Sequence, residues 1–172
     1  MGEARAEGEN RMSVSQNGLE ENFDDLPDRE RPDGVFAPRF NEAGLLPVFV
    51  TDADTGEALM QAWMNQAALE RTLSTGEAHY FSRSRSRMWK KGEESGHIQI
   101  VPELRIDCDQ DALWLKVEQK GGAACHTGFP SCFYRALRMD ESGNIEFTEV
   151  QTSRVFDPGE VYSRNQPPKG AV

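Results

Sequence analysis

The chain is 172 residues long, 37% hydrophobic and 28% charged, which leaves room for one domain with a real core and hardly for two. Its formal charge of -10 and pI near 4.8 exclude a general nucleic-acid binder and disfavour an anionic membrane partner, because both need a broad basic surface. The start Met1-Gly2-Glu3-Ala4-Arg5 is polar and acidic, unlike a secretory signal, and no stretch approaches the ~20 apolar residues of a membrane span. Three cysteines cannot all pair within one chain, so the expectation is a cytoplasmic protein whose thiols serve metal or chemistry.

Residues 1 to 33 hold ten acidic and four basic side chains, so more than half of the excess charge belongs to the N-terminal tail. Rich in Gly, Asn, Ser and Glu, residues 1–35 cannot bury enough surface to offset the entropy of ordering, and are expected to be disordered. The apolar run Leu45 to Thr51, the turn chemistry of Asp52-Ala53-Asp54-Thr55-Gly56 and the run Leu59 to Met64 predict a hairpin. Asn65 is a candidate N-cap for a helix through Leu73, with Ala68, Leu69, Thr72 and Leu73 on its core face and Gly76 ending it. Ala78 to Phe81 reads as a strand, followed by a polar loop. Alternation predicts two more strands, over residues 97 to 106 and from Ala112 to Val117, with Gly121 and Gly122 breaking the second. Asn144 to Val150 reads as one further strand, and the end, with Pro158, Pro167 and Pro168, as loop and frayed terminus. The sum is an α+β domain over residues 36–138, mostly antiparallel β-sheet with few helices, and a strand and loop extension over 139–172.

Each cysteine lies among groups that bind metal or move protons. Cys108 is inside Asp107-Cys108-Asp109-Gln110-Asp111, and Cys125 and Cys132 bracket Cys125-His126-Thr127-Gly128-Phe129-Pro130-Ser131-Cys132. Soft thiolates suit zinc, hard carboxylates suit magnesium, and three protein ligands with water in the fourth position make hydroxide available near neutral pH. The spacings are wide for a zinc finger, so the fold must bring Cys108 to the other two, within a subunit or across a dimer. Buried inert thiols are the rival account, but such thiols are not usually flanked by aspartates. In extended chain Asp107, Asp109 and Asp111 project from one face and Cys108 from the other. A solvated acidic turn is the alternative for the aspartates alone.

Residues 83 to 91 carry five cations in an otherwise acidic chain. Arg83, Ser84, Arg85, Trp89, Lys90, Lys91, Glu93 and Ser95 are candidates for holding substrate and its phosphates, with Gly92 and Gly96 allowing backbone approach. A soluble charged face is the competing reading of that run. His126, beside Cys125, and His97, closing the basic stretch, are the candidate proton carriers; a fourth metal ligand or a structural histidine are rival roles for His126, and structure is the expected role of His79.

With these motifs in this order, the chain resembles the phosphoribosyl-AMP cyclohydrolases of histidine biosynthesis. The resemblance rests on Ser82-Arg83-Ser84-Arg85, Trp89-Lys90-Lys91-Gly92-Glu93 with Ser95-Gly96, Asp107-Cys108-Asp109 with Asp111, and Cys125-His126-Thr127-Gly128 with Ser131-Cys132-Phe133. It spans roughly Leu45 to Tyr134. It departs at His97, where asparagine is usual, and at Glu94, where threonine is common. The resemblance implies an intertwined homodimer in which Cys108 of one subunit and Cys125 with Cys132 of the other hold Zn2+, while Asp107, Asp109 and Asp111 bind Mg2+. Some relatives carry a second, helical domain that hydrolyses phosphoribosyl-ATP; the segment after Tyr134 is short for that, and a single activity is expected.

The implied substrate, N1-(5-phosphoribosyl)-AMP, has an adenine ring alkylated at N1. The resulting positive charge makes C6 electrophilic, so water activated by zinc adds there and the ring opens between N1 and C6. Two other accounts of the motifs predict different outcomes. A non-catalytic structural-zinc module binding a nucleotide or protein would have a closed four-ligand site with His126 as fourth ligand, and a redox sensor would form a disulfide between Cys125 and Cys132 and need no zinc.

Overall fold

The computed structural model describes residues 35–162. The tail expected to be disordered lies, but for its last residue, outside the described residues, as do Pro167 and Pro168. Along the described chain come β1 (Leu46–Asp52), β2 (Ala58–Met64), α1 (Gln66–Thr75), β3 (His79–Ser82), β4 (Arg87–Lys90), β5 (Gln99–Ile106), β6 (Leu113–Gln119), β7 (Arg135–Met139), β8 (Ile145–Glu149) and α2 (Pro158–Tyr162). A four-stranded sheet runs in the order β2-β1-β6-β5, and β3-β4 and β7-β8 are separate two-stranded sheets. Every pairing is antiparallel except β1 with β6. The expected α+β architecture, rich in antiparallel sheet, is therefore the one observed.

The first hairpin and helix form for the reasons their sequences give. Asp52 Oδ1 accepts hydrogen bonds from the backbone N–H groups of Asp54 and Thr55 and from the Thr55 hydroxyl, which folds the chain back between β1 and β2. Asn65 Oδ1 accepts from Ala68 N–H at 2.9 Å and caps α1, while Gly76, at a φ of 68°, ends it by donating its N–H to Thr72. Strand alternation then puts Leu46, Val48 and Val50 of β1 and Leu113, Leu115 and Val117 of β6 on one face, all at most 2% exposed. Ala68, Leu69 and Thr72 of α1 and Tyr80 of β3 are buried too, and Ala68, Leu69 and Tyr80 join that core. Leu73, expected on the same helical face, is instead 60% exposed. At 3.6 residues per turn it falls about 40° past Leu69, outside the buried arc.

Three further differences have local causes. The polar loop expected after Phe81 is half of a hairpin: Tyr80 pairs with Trp89 and Phe81 with Met88, and Ser86 takes a φ of 49° to make the turn. Arg87 and Lys90 at the two ends of β4, continuous with the cations of the turn, hid its strand character. β7 was not expected at all, yet Arg135–Met139 pairs with β8 throughout. The C-terminal segment includes α2, whose start is signalled by Asp157-Pro158: Asp157 Oδ1 accepts from Gly159 N–H at 2.7 Å, and proline suits the first helical position. Among the described residues, no helix is long and apolar enough to cross a membrane.

Candidate active site

Behind the C-terminal end of β6, Gly121 and Gly122 turn the chain into the segment carrying Cys125 and Cys132. Gly128 N–H donates to Cys125 O at 3.0 Å, Cys125 N–H to Phe129 O at 3.1 Å, and Cys132 N–H to Leu59 O on β2 at 2.7 Å. Ser131 Oγ donates to Ala58 O at 2.7 Å, so the Cys132 end of the segment is pinned to β2, while the Cys125 end is closed by bonds within the segment itself. Phe129 stacks on Tyr134 with ring centroids 4.1 Å apart and joins Cys125 in a small second core.

This folding brings the Cys125 and Cys132 thiols face to face. Cys125 is buried and its Sγ lies 2.9 Å from Thr127 Oγ1. Cys132 has an exposed surface, yet the surrounding protein pushes its thiol up to about 12, and the neighbouring Cys125 adds to the shift. Lys91 reaches the same place. It is only 7% exposed, no carboxylate among the described residues pairs with it, and burial lowers its pKa while Cys132 and Cys125 pull it back up. Tyr80 is fully buried beside Cys132, its phenol held neutral by burial and donating to Gln99 Oε1 at 2.6 Å. Gln99, also fully buried, passes its own donor to Gln119 Oε1 at 2.8 Å. A buried ammonium without a carboxylate is costly unless something negative stands by it. The two sulfurs are the groups placed to do that once deprotonated, a change that the raised pKa of Cys132 opposes until a metal ion takes the place of the proton.

Cys108 lies elsewhere, exposed in the turn before β6. At least two strand spacings of about 4.8 Å and several residues of about 3.3 Å rise put it on the order of 15 Å from Cys132. Two sulfurs on one zinc are only roughly 4 Å apart. Within one chain, then, the fold joins Cys125 to Cys132 and keeps Cys108 away from both. His126 is exposed, and it belongs to no cluster of three metal-binding side chains among the described residues.

Asp107, Asp109 and Asp111 do converge, with ligand oxygens all within 4.8 Å of one another. They do so in a turn and not in the extended chain expected from their alternation. Asp107 Oδ1 accepts from the N–H groups of Asp111 and Ala112, both at 3.0 Å, and Gln110 adopts a φ of 61°. Gln110 also pins the incoming chain, its Oε1 accepting from Ala37 N–H at 2.8 Å and its Nε2 donating to Val35 O at 2.7 Å. Burial, then Asp109 and Asp107, raise the pKa of Asp111, while Arg39 opposes them. A divalent cation relieves that repulsion, and oxygen-only donors match magnesium.

The remaining candidates lie on and after the β3-β4 hairpin. Arg83, Ser84 and Arg85 are exposed in its turn, Arg85 N–H bonding Ser82 Oγ at 3.3 Å and the Arg83 guanidinium lying 4.8 Å over the Trp63 ring. Trp89 is half-buried and packs on Tyr80 with centroids 5.2 Å apart, and Lys90 forms an ion pair with Glu77. Glu93 is exposed, whereas Ser95 Oγ accepts from His97 N–H at 3.3 Å. His97 is held between the backbone at Gly121 and the ring of Phe156, on which it stacks at 4.7 Å. His79 is buried, its Nδ1 2.8 Å from Glu77 O, as a structural histidine would be.

A family model described as phosphoribosyl-AMP cyclohydrolase matches residues 60–134. A relative of that name from Rhodopseudomonas palustris strain BisB18 is 56% identical over 128 residues, covering 74% of this chain and 87% of the relative. Another, from Nitrobacter hamburgensis, is 50% identical over 152 residues, covering 88% of this chain and 95% of the relative. The R. palustris strain HaA2 protein is 58% identical over 127 residues, with 74% and 86% covered. The chain belongs to the phosphoribosyl-AMP cyclohydrolase family.

The stretch matching the cyclohydrolase model contains every residue that sequence reasoning had singled out for the site. What that reasoning missed is Tyr80, Gln99 and the burial of Lys91. A lysine beside another lysine in a basic run gives no sign of which one is buried, and only the pairing of His79 with Lys90, which sends the next residue inward, separates them. Phe156 was missed because it lies beyond the matched residues.

The surroundings of His97 have a consequence for pH. Burial lowers its pKa and the Lys91 ammonium lowers it further, against a raising contact with the Gly121 backbone. A histidine whose folded pKa is depressed contributes stability that is present above its ordinary value of 6.5 and is lost as pH falls below it. Thermal denaturation at stepped pH is expected to show a loss of stability below pH ~6.5 that shrinks in His97→Asn; parallel curves for the two proteins would contradict the burial of this ring.

Proposed function

We propose that this chain hydrolyses N1-(5-phosphoribosyl)-AMP in histidine biosynthesis, opening the adenine ring between N1 and C6, with zinc at the cysteines and magnesium at the aspartates. The observation that carries the reading is the meeting of Cys125, Cys132 and Lys91 in a chain of this family. The donor sets fit the metals: facing thiols beside an unpaired ammonium suit zinc, and three converging carboxylates suit magnesium. When bound, zinc brings the pKa of a water down toward neutrality.

The chain's own residues supply the rest. Lys91 offsets the negative charge of the thiolates, which otherwise donate so much electron density that the water would be less acidic. His126 is exposed on the residue after Cys125, free to take the proton from water and deliver it to N1 as that bond breaks. Arg83, Arg85 and Lys90 face solvent wholly or in part and receive the phosphates, with Ser84, Trp89, Glu93 and Ser95 along the same approach. Asp107, Asp109 and Asp111 would hold a divalent cation, which would supply screening for a further part of the substrate's charge.

Cys108 requires a second copy of the chain. The homodimer reading is supported by β7 and β8, where Leu137, Met139, Ile145 and Phe147 share one face at 59–73% exposure. A homodimer that buries this face and donates Cys108 across the interface completes the zinc ligands. Thiols kept reduced for metal fit a cytoplasmic enzyme.

Product analysis tests the reaction. Mass spectrometry is expected to show a gain of one water with every nitrogen retained, since the ring opens without loss of the exocyclic amine. Release of ammonia, or no reaction, would contradict the proposal. The magnesium assignment has its own test: millimolar Mg2+ is expected to raise the Tm of the protein by about 2–4 °C if it occupies the site near saturation. Asp109→Asn should abolish that response and, without Mg2+, should be as stable as the unaltered protein or more so, because one of three repelling charges is gone.

A further inference from the structure

The segment after β8 returns across the thiol-bearing loop, and three consecutive residues of it, Arg154, Val155 and Phe156, touch three different parts of the site. Val155 N–H donates to Gly128 O at 2.7 Å. Phe156 O approaches Gly128 so closely that any side chain there would collide, and Gly128 holds a φ of 89° that disfavours one in any case. The Arg154 guanidinium lies 5.3 Å over the Phe129 ring, and the Val155 methyls come within 3.7 Å of where a side chain at Gly122 would begin. The Phe156 ring stacks on His97 at 4.7 Å and 26°, and Tyr162 of α2 meets its edge at 6.2 Å. Asp157, the next residue, caps α2 and so fixes where the segment ends. The segment itself lies outside residues 60–134, the stretch that the family model matches, while the site residues it touches lie inside it.

We infer that Arg154–Asp157 is a positioning strap, in which Phe156 clamps the His97 ring against Gly121 and the backbone of Val155 and Phe156 sets the loop between Cys125 and Cys132. The inference rests on the zinc reading of those thiols for its effect on metal, but not for its effect on His97. Gly128 is the contact point because its N–H also closes the turn back to Cys125 O. Moving it moves the thiol that precedes it. Phe156 is thus a positioning residue that acts through its neighbours and touches neither substrate nor metal.

Three variants separate this role from plain packing. In Phe156→Ala, zinc affinity measured by chelator competition is expected to fall about 10-fold or more, the effect typical of removing a group that orients metal ligands. Phe156→Tyr, which keeps the ring, should stay within about threefold of the parent. Proton NMR of the metal-free protein should show the His97 ring resonances losing the upfield ring-current shift in Phe156→Ala and keeping it in Phe156→Tyr. If Phe156→Ala does not fold, Phe156→Leu, which keeps bulk without the ring, is held to the same expectations. A lower Tm with zinc affinity and His97 resonances unchanged would overturn the strap and leave a packing contact only. Failure of the unaltered protein to bind zinc would instead overturn the zinc reading, and the His97 resonances would then decide the strap alone.

Discussion

An equimolar mixture of Cys108→Ala and Cys125→Ala variants, each inactive alone, is expected to regain about a quarter of full turnover once their subunits exchange, if the dimer has two shared sites. Half of the dimers would then be mixed, and each mixed dimer would have one site with all three thiols and one site lacking two. The expectation follows from the sheet, since Cys108 precedes β6 at one end and Cys132 is tied to Leu59 on β2 at the other. Removing one ligand from a three-thiol site should cost more than about 10³-fold in turnover, so recovery in the mixture would stand far above background. A mixture that stays at the level of its components would show that the sulfurs do not meet across subunits.

Lys91→Met should separate stability from function in opposite directions. The ammonium is buried without a carboxylate, so replacing it with an apolar side chain of similar length is expected to raise the Tm of the metal-free protein. The same change removes the cation nearest the thiolates. Turnover should fall about 10- to 100-fold and zinc should be held more weakly, with circular dichroism unchanged. If Lys91 were an ordinary surface cation for phosphate, the variant would raise KM, leave zinc affinity alone and gain no stability.

Much of this fold could be read from residues whose local chemistry admits one answer. Asp52 with Thr55 and Gly56, and Asn65 with Gly76, marked the first hairpin and both ends of α1, because their hydrogen bonds are made within a few residues. Strand β7 could not be read in the same way: Arg135-Ala136-Leu137-Arg138-Met139 does alternate, but its apolar face is exposed in the single chain and finds no core to declare it. The site divided along the same line. Cysteines among aspartates suggest candidate residue types, while their grouping depends on strand order, which local sequence does not carry. Thus the aspartates converge through a turn made by Gln110 and Asp107 and not through strand alternation. Lys91 parts from Lys90 because it follows the last paired residue of β4, where its N–H bonds Ala78 O at 3.0 Å. Phe156 reaches His97 from 59 positions away in the sequence, a contact that only the folded chain creates.

Central to the proposed function is the addition of water to an alkylated adenine at a thiolate site that needs metal. The most direct measurement follows ring opening of phosphoribosyl-AMP by absorbance, using purified protein stripped by a chelator and then given zinc, magnesium, both or neither. Turnover is predicted to vanish on stripping and to return fully only when both cations are restored. Undiminished turnover in the stripped protein, or none under any condition with the folded chain, would contradict it.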